Sequence, residues 1–170
     1  FGVQVLEAVL RERGHEVSVV YVPITNTSVS HRYFTPARIR ALAEKILGFR
    51  PDMVGISAFT DTFHSCCEIA KAVKELSPQT PVIFGGIHAT LVKQEILGHD
   101  FIDFSVVGEA EQALPELVEA YLTTKNYESI GNLCYRKDGL PTANPVRPYL
   151  RDLDNLPPLD KSVYVRQNPY

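Results

Sequence analysis

The sequence predicts an α/β fold, a doubly wound sheet of parallel strands with helices on both faces. Three observations predict it. Short β-branched runs alternate with segments whose apolar residues recur at helical spacing, and glycine, proline or a capping hydroxyl stands near most switches between them. The third is size: 170 residues, 45% of them hydrophobic, can close one sizeable core.

In "FGVQVLEAVLRERG" the residues Val5, Leu6, Val9 and Leu10 keep helical spacing until Gly14 ends the helix, and "EVSVVYV" (16–22) then reads as a strand. The loop "PITNTSVSHRYF" leads to Thr35 and Pro36, an N-cap and a first-turn proline. The helix they open buries Ile39, Leu42, Ala43, Ile46 and Leu47 and stops at Gly48. Next come a strand in "DMVGISAF", a helix from Thr60 to Leu76, a strand in "PVIFGG", a short helix from Thr90 to Leu97 and a strand in "DFSVVGE". Pro115 is tolerated only near a helix start, which places that start near Glu111. Beyond Tyr121, "IGNLCYR" and "TANPVRPYL" flank the turn "KDGL" as a hairpin, and "RDLDNLPPLDKSVYVRQNPY" reads as a linker. The organisation is thus an α/β domain over 1–125, a hairpin extension over 126–150 and a linker over 151–170.

Charge and cysteine usage narrow the partners. A net charge of −3 supplies no basic stripe for phosphates, so nucleic acid has no electrostatic support. No segment approaches the ~20 apolar residues of a membrane span. Cys66, Cys67 and Cys134 have no zinc spacing, and the adjacent pair is poorly placed to close on itself, so a cytoplasmic, reducing setting fits. The chain opens at Phe1 directly into a helix, with no strand before it, and reads as a piece whose beginning is missing.

In open α/β sheets ligands bind outside the carboxyl ends of the strands. That rule selects Ser57, Gly85, Gly86, His88, Gly108 and Glu109. The glycine pair has two readings: a tight turn, or a place where a bulky group approaches the backbone. Ser57 has two as well, a ligand hydrogen bond or a bond to the next helix's first turn. His88 either faces a ligand or partner, or interacts with the start of the helix that Thr90 caps. Glu109 and Glu111 read first as acidic residues favoured by the positive pole of a helix, at roughly 0.3–1 kcal/mol each, and only second as a general acid and base. Asp61 reads as a capping residue, too late in the chain for a phosphoacceptor at the strand end.

"GISAFT", "VIFGGIHAT" and "SVVGEAEQALPEL", in that order, resemble the amino-terminal cobalamin-binding domain of radical S-adenosylmethionine enzymes, and the likeness runs from "VLEAVLRERGHEV" to "NPVRPYLRDLDNLPPLD". The resemblance implies a flavodoxin-like domain that holds cobalamin with its nucleotide tail beside the sheet. Ser57 would bond the buried dimethylbenzimidazole, Gly85 and Gly86 would leave room for the tail, and Ala58, Phe59, Thr60, His88, Gly108 and Glu109 would complete the cofactor-binding set. In the usual 2-1-3-4-5 strand order, a first strand would lie between "EVSVVYV" and "DMVGISAF".

The DxHxxG motif that supplies a lower cobalt ligand in some carriers is absent. His15 reads as structural, and His31 and His64 have no partner at metal spacing. The CxxxCxxC triplet that would hold a [4Fe–4S] cluster and S-adenosylmethionine is absent too, so those cofactors are expected only in a catalytic domain attached beyond the linker. GxSxG is missing as well. The reading is a cobalamin-binding module that binds rather than catalyses. The rival is a noncatalytic flavodoxin-like module that lost cobalamin and serves as a docking or substrate-positioning surface.

Overall fold

A computed structural model describes residues 2–22 and 34–159. Helix α1 (Gly2–Glu12) buries Val5 and Val9. It ends because Gly14 takes φ +85°, letting the Gly14 N–H reach the Arg11 carbonyl (2.9 Å) and the His15 N–H reach that of Leu10 (3.1 Å). His15 stands at this turn, where its backbone N–H helps close the helix end. Helix α2 (Pro36–Leu47) opens with Pro36 behind Thr35, whose hydroxyl accepts the Arg38 N–H at 3.3 Å.

Among the described residues the sheet has five strands in the order β1-β2-β3-β4-β5. Strands β1 (Val54–Ser57), β2 (Val82–Gly85) and β3 (Phe104–Val106) are parallel; β4 (Leu133–Lys137) and β5 (Leu140–Ala143) are antiparallel. The hairpin therefore continues the main sheet through Ser105–Cys134 and Val106–Leu133, and the sheet is mixed rather than purely parallel. Its turn is the expected one: Asp138 (φ 52°) and Gly139 (φ 81°) both adopt the left-handed conformation that a two-residue hairpin loop requires.

Helices cover both faces. The alternation Val82 and Phe84 against Ile83 sends the first two into a cluster with Ala70, Val73, Ala43 and Leu97, beneath α2, α3 (Phe63–Leu76) and α4 (Ile87–Val92). Ile83, Phe104 and Val106 join Ala113, Leu117 and Leu133 on the other face, under α5 (Ala113–Leu122), which α1 also meets. Each large apolar side chain fully buried here contributes about 1.5–3 kcal/mol, so the two layers hold the strand ends in fixed register. This α/β layering with a parallel core is that of a flavodoxin-like fold.

Several expectations are corrected. Segment 16–22 forms no strand of the sheet. Its β-branched residues suit a pleated surface, but a strand exists only through a paired neighbour, and among the described residues β1 is the edge on that side. Helix α3 begins at Phe63, not Thr60, because the Thr62 hydroxyl first closes a turn on the N–H (3.1 Å) and carbonyl (3.2 Å) of Phe59. Thr62 rather than Asp61 then stands at the cap position. Helix α4 begins at Ile87, three residues before Thr90, and tightens into a 3₁₀ helix over Lys93–Gly98. Helix α5 starts two residues after Glu111, with buried Pro115 in its first turn. The loop 23–33, with His31, and the linker from 160 lie outside the described residues.

Candidate cofactor-binding site

The register of β1 and β2 brings Gly55 beside Ile83 and Ser57 beside Gly85. All four point to the α1/α5 face, since Ile83 belongs to that cluster. At this corner three of the four are glycine or serine. A Cβ built on Gly55 or on Gly85 meets no atom within 4 Å, and both Gly55 and Ser57 are exposed. Among the described residues the sheet is therefore left uncovered along a strip that ends at its carboxyl edge, beside a hydroxyl able to donate and accept a hydrogen bond.

Gly86 does something else. Its φ of +89° and ψ of −170° are open essentially to glycine alone, and a Cβ there would lie 2.8 Å from the Ala58 carbonyl oxygen and 3.0 Å from Ser57 Oγ. Of the two readings of the glycine pair, the open-space one describes Gly85 and the tight-turn one describes Gly86. The missing Cβ at Gly86 thus permits close packing against the end of β1, the Ser57 hydroxyl included.

The remaining strand-end residues divide. Ala58 is fully buried in the core cluster, its N–H bonded to the Gly85 carbonyl (3.0 Å) and its carbonyl to the His88 N–H (3.2 Å), so its side chain offers a ligand nothing. Phe59 stands 60% exposed on the rim, among the largest apolar surfaces there, with Ile87 and Leu91 also exposed. His88 stacks on Phe63 at 3.9 Å and 28°, with Nδ1 3.4 Å from the Thr60 hydroxyl. Both rings lie on the α3/α4 side of the rim, so His88 is bound into the scaffold while its rim position stays near the strip. It contacts the start of α3, not a Thr90 cap: the Thr90 hydroxyl donates to the Gly86 carbonyl (3.0 Å) and accepts the Gly108 N–H (2.9 Å). Gly108 itself takes φ +73°.

Glu109 is engaged by the residue just before β4 and by the segment after β5. Its carboxylate accepts the Leu150 N–H at 2.7 Å and its carbonyl accepts Asn132 Nδ2 at 2.7 Å. The expected role at the helix pole is corrected, because the side chain is committed to the returning chain. Glu111, half-buried just ahead of α5, keeps one carboxylate oxygen screened from water with no hydrogen-bond partner among the described residues.

Sequence reasoning missed Gly55, Thr90, Asn132 and Arg147. Gly55 was legible, because Gly55 and Ser57 stand two apart in one strand and must share a face. Asn132 was not. It is buried, with φ +69°, and ties the end of β3 to the segment after β5: Oδ1 accepts the Arg147 N–H at 2.6 Å, while its backbone bonds Val107 and Pro145. Arg147 then pairs with Glu116 through two N–H···O contacts of 3.0 and 2.6 Å. The small crevice lined by Glu109, Gln112, Asn132, Arg147, Pro148 and Leu150 belongs to this latch and not to the strip.

Cys66, Cys67 and Cys134 are buried and unpaired. Burial pushes their thiols upward, Cys67 and Cys134 to about 11. No group of three or more His, Cys, Asp or Glu among the described residues could hold a metal ion, and no described helix is long and apolar enough to cross a membrane.

Residues 1–118 match the B12 binding domain family. An uncharacterized methyltransferase, PH0819, of Pyrococcus horikoshii is 31% identical over 128 residues, covering 71% of this chain and 28% of that protein. The anaerobic magnesium-protoporphyrin IX monomethyl ester cyclase of Rubrivivax gelatinosus is 30% identical over 138 residues, covering 74% of this chain and 24% of that protein. The chain thus spans about a quarter of the length of these relatives. Among solved structures, that of the radical S-adenosylmethionine methyltransferase TsrM from Kitasatospora setae with cobalamin and a [4Fe-4S] cluster bound shares the fold. Its TM-score is 0.69 at 18% identity, over 95% of this chain and 29% of that one.

Proposed function

Because the chain belongs to the B12-binding domain family, we propose that the Gly55–Ser57–Gly85 strip receives the nucleotide arm of cobalamin, with the corrin lying over the carboxyl rim. The observation that carries this is the empty space over Gly85, on the same face as exposed Gly55 and Ser57. A flat heterocycle can lie against bare backbone there, where any larger side chain would stand in its way. The residues fit the group, and each has a definable part. Ser57 orients the arm through its hydroxyl, a bond worth about 0.5–1.5 kcal/mol net. Gly85 admits the arm, Gly86 holds the turn that shapes the end of the strip, and Phe59 offers apolar surface at the rim.

When bound, cobalamin supplies the alkyl-carrying chemistry of its cobalt; the chain's own residues bind, orient and exclude water. The names of the relatives, a methyltransferase and a cyclase, support a role inside a larger radical S-adenosylmethionine enzyme that performs methyl transfer or related radical chemistry. S-adenosylmethionine and the iron–sulfur cluster would belong to a catalytic domain joined beyond the linker. Three buried free thiols suit a reducing, cytoplasmic setting.

The test is titration of the purified chain with hydroxocobalamin, followed by its visible spectrum and by co-elution of corrin with protein. Saturable binding, weakened in Ser57→Tyr and in Gly85→Val, is the expected result. No spectral change and no retained corrin in the unaltered chain would overturn the proposal and favour a docking module.

A further inference from the structure

We infer that Thr90 is a positioning residue of this site, whose hydroxyl fixes the spacing between the turn after β2 and the turn after β3. The inference rests on the cobalamin reading for its ligand and on the geometry of the rim for its mechanism. A threonine inside a helix commonly donates to the carbonyl four residues back, and the bond from Thr90 to Gly86 (3.0 Å) is of that ordinary kind. The second bond is not local. The Thr90 oxygen accepts the N–H of Gly108, eighteen residues on, at 2.9 Å.

The hydroxyl is therefore a relay: the amide of one glycine turn reaches the carbonyl of the other through a single oxygen. Both glycines hold positive φ, +89° at Gly86 and +73° at Gly108, so each turn has a conformation that ordinary side chains rarely adopt. The series continues to β1. The Thr90 N–H also bonds the Gly86 carbonyl (3.1 Å), and the His88 N–H bonds that of Ala58 (3.2 Å). Three loops that leave the sheet at its carboxyl edge are thus tied together within the first turn of α4, and Thr90 supplies the only side chain in the tie between the second and third among the hydrogen bonds described.

The strip ends at the carboxyl ends of β1 and β2, beside the turn after β2 that the relay ties to the turn after β3. If the turn after β3 drifts from the turn after β2, the ligand loses a pre-formed rim and must order it on binding, which weakens affinity without removing a contact. Valine at 90 keeps the shape and deletes both side-chain bonds; serine keeps the bonds and deletes a methyl.

The 170-residue chain and its Thr90→Val and Thr90→Ser variants are to be titrated with hydroxocobalamin, with amide exchange at Gly108 and thermal unfolding measured in parallel. The expected result is a Kd about threefold to tenfold higher for Thr90→Val and within about twofold of the parent for Thr90→Ser. Faster Gly108 exchange should appear in the valine variant alone. Equal affinity of Thr90→Val and the parent, or serine failing as far as valine, overturns the inference. A parent chain that binds no corrin defeats the cobalamin reading and, with it, Thr90 as a residue of that site. The Gly108 exchange rates then still decide whether the relay exists.

Discussion

Gly85→Val and Gly86→Ala, adjacent in sequence, should fail in opposite ways. At Gly85 a new Cβ meets no atom within 4 Å, so a side chain can start from β2 into open space. Replacing glycine by a β-branched residue in a strand is worth about 0.5–1 kcal/mol in favour of folding. For a chain of this size that raises Tm by about 1–4 °C. The same isopropyl group occupies the strip, and overfilling a fitted space by that volume costs about 1–3 kcal/mol, so hydroxocobalamin should bind roughly tenfold to a hundredfold more weakly. At Gly86 the new Cβ would be 2.8 Å from the Ala58 carbonyl oxygen with φ at +89°. Backbone strain of about 1–3 kcal/mol, before any relief of the contact, lowers Tm by about 2–12 °C. Differential scanning calorimetry and spectroscopic titration on the same preparations read both quantities. Gly85→Val with a lowered Tm, or with unchanged cobalamin affinity, would refute the assignment of open space to Gly85 and of the strip to the ligand.

Asn132→Ala removes the partners of the Glu109 carbonyl and the Arg147 N–H and leaves alanine at φ +69°; urea denaturation should show a loss of about 2–4 kcal/mol. Asn132→Gly loses the same bonds without the backbone penalty and should be about 1 kcal/mol milder, and equal losses would discount the left-handed conformation. Glu109→Ala frees the Leu150 N–H, so tryptic cleavage after exposed Arg151 should be roughly threefold faster, while Glu109→Gln, which keeps an acceptor, should cleave at the parent rate. With Cys67 and Cys134 raised from an ordinary 9.0 to about 11, the folded chain keeps protons that the unfolded chain loses. Their contribution to stability is whole below pH 9 and is lost as pH climbs from about 9 to 11, by roughly 2–3 kcal/mol for each thiol. Cys→Ala variants should flatten that decline in chemical denaturation at pH 9–11. A decline of the same slope in the variants would assign it to other groups.

The elements that carried their own local chemistry were legible in the sequence. Thr35 with Pro36 opens α2, Gly14 closes α1, and Asp138–Gly139 makes the hairpin turn, each through bonds between residues only a few positions apart. What failed depended on distant partners. The residues of "EVSVVYV" have the right side chains for a strand, yet pairing is a property of two segments, and among the described residues no neighbour in the sheet accepts this one. Glu109 has the sequence position of a helix-pole carboxylate, but the Leu150 N–H, forty-one residues on, takes it. Thr90 looked like a cap because its reach to Gly108 crosses eighteen residues.

The glycine pair shows why the candidate site was half legible. Gly85 is the last residue of β2 and Gly86 already belongs to the turn into α4, so the two glycines of "GG" meet different surroundings. Which is which depends on what lies beyond them. Toward the α1/α5 face stand Gly55 and Ser57 on the neighbouring strand, and there the missing Cβ leaves a void. Where the chain turns, the end of β1 crowds in, and there the missing Cβ permits close packing and an unusual φ. The two depend on each other, because the Gly86 turn brings Ser57 Oγ and the Ala58 backbone against the end of β2 and so fixes the edge of the strip over Gly85. A substitution that relaxes the turn should therefore lower affinity even without touching the strip. Gly86→Ala should bind cobalamin more weakly than its loss of folding free energy alone accounts for, as measured at a temperature where both proteins are fully folded.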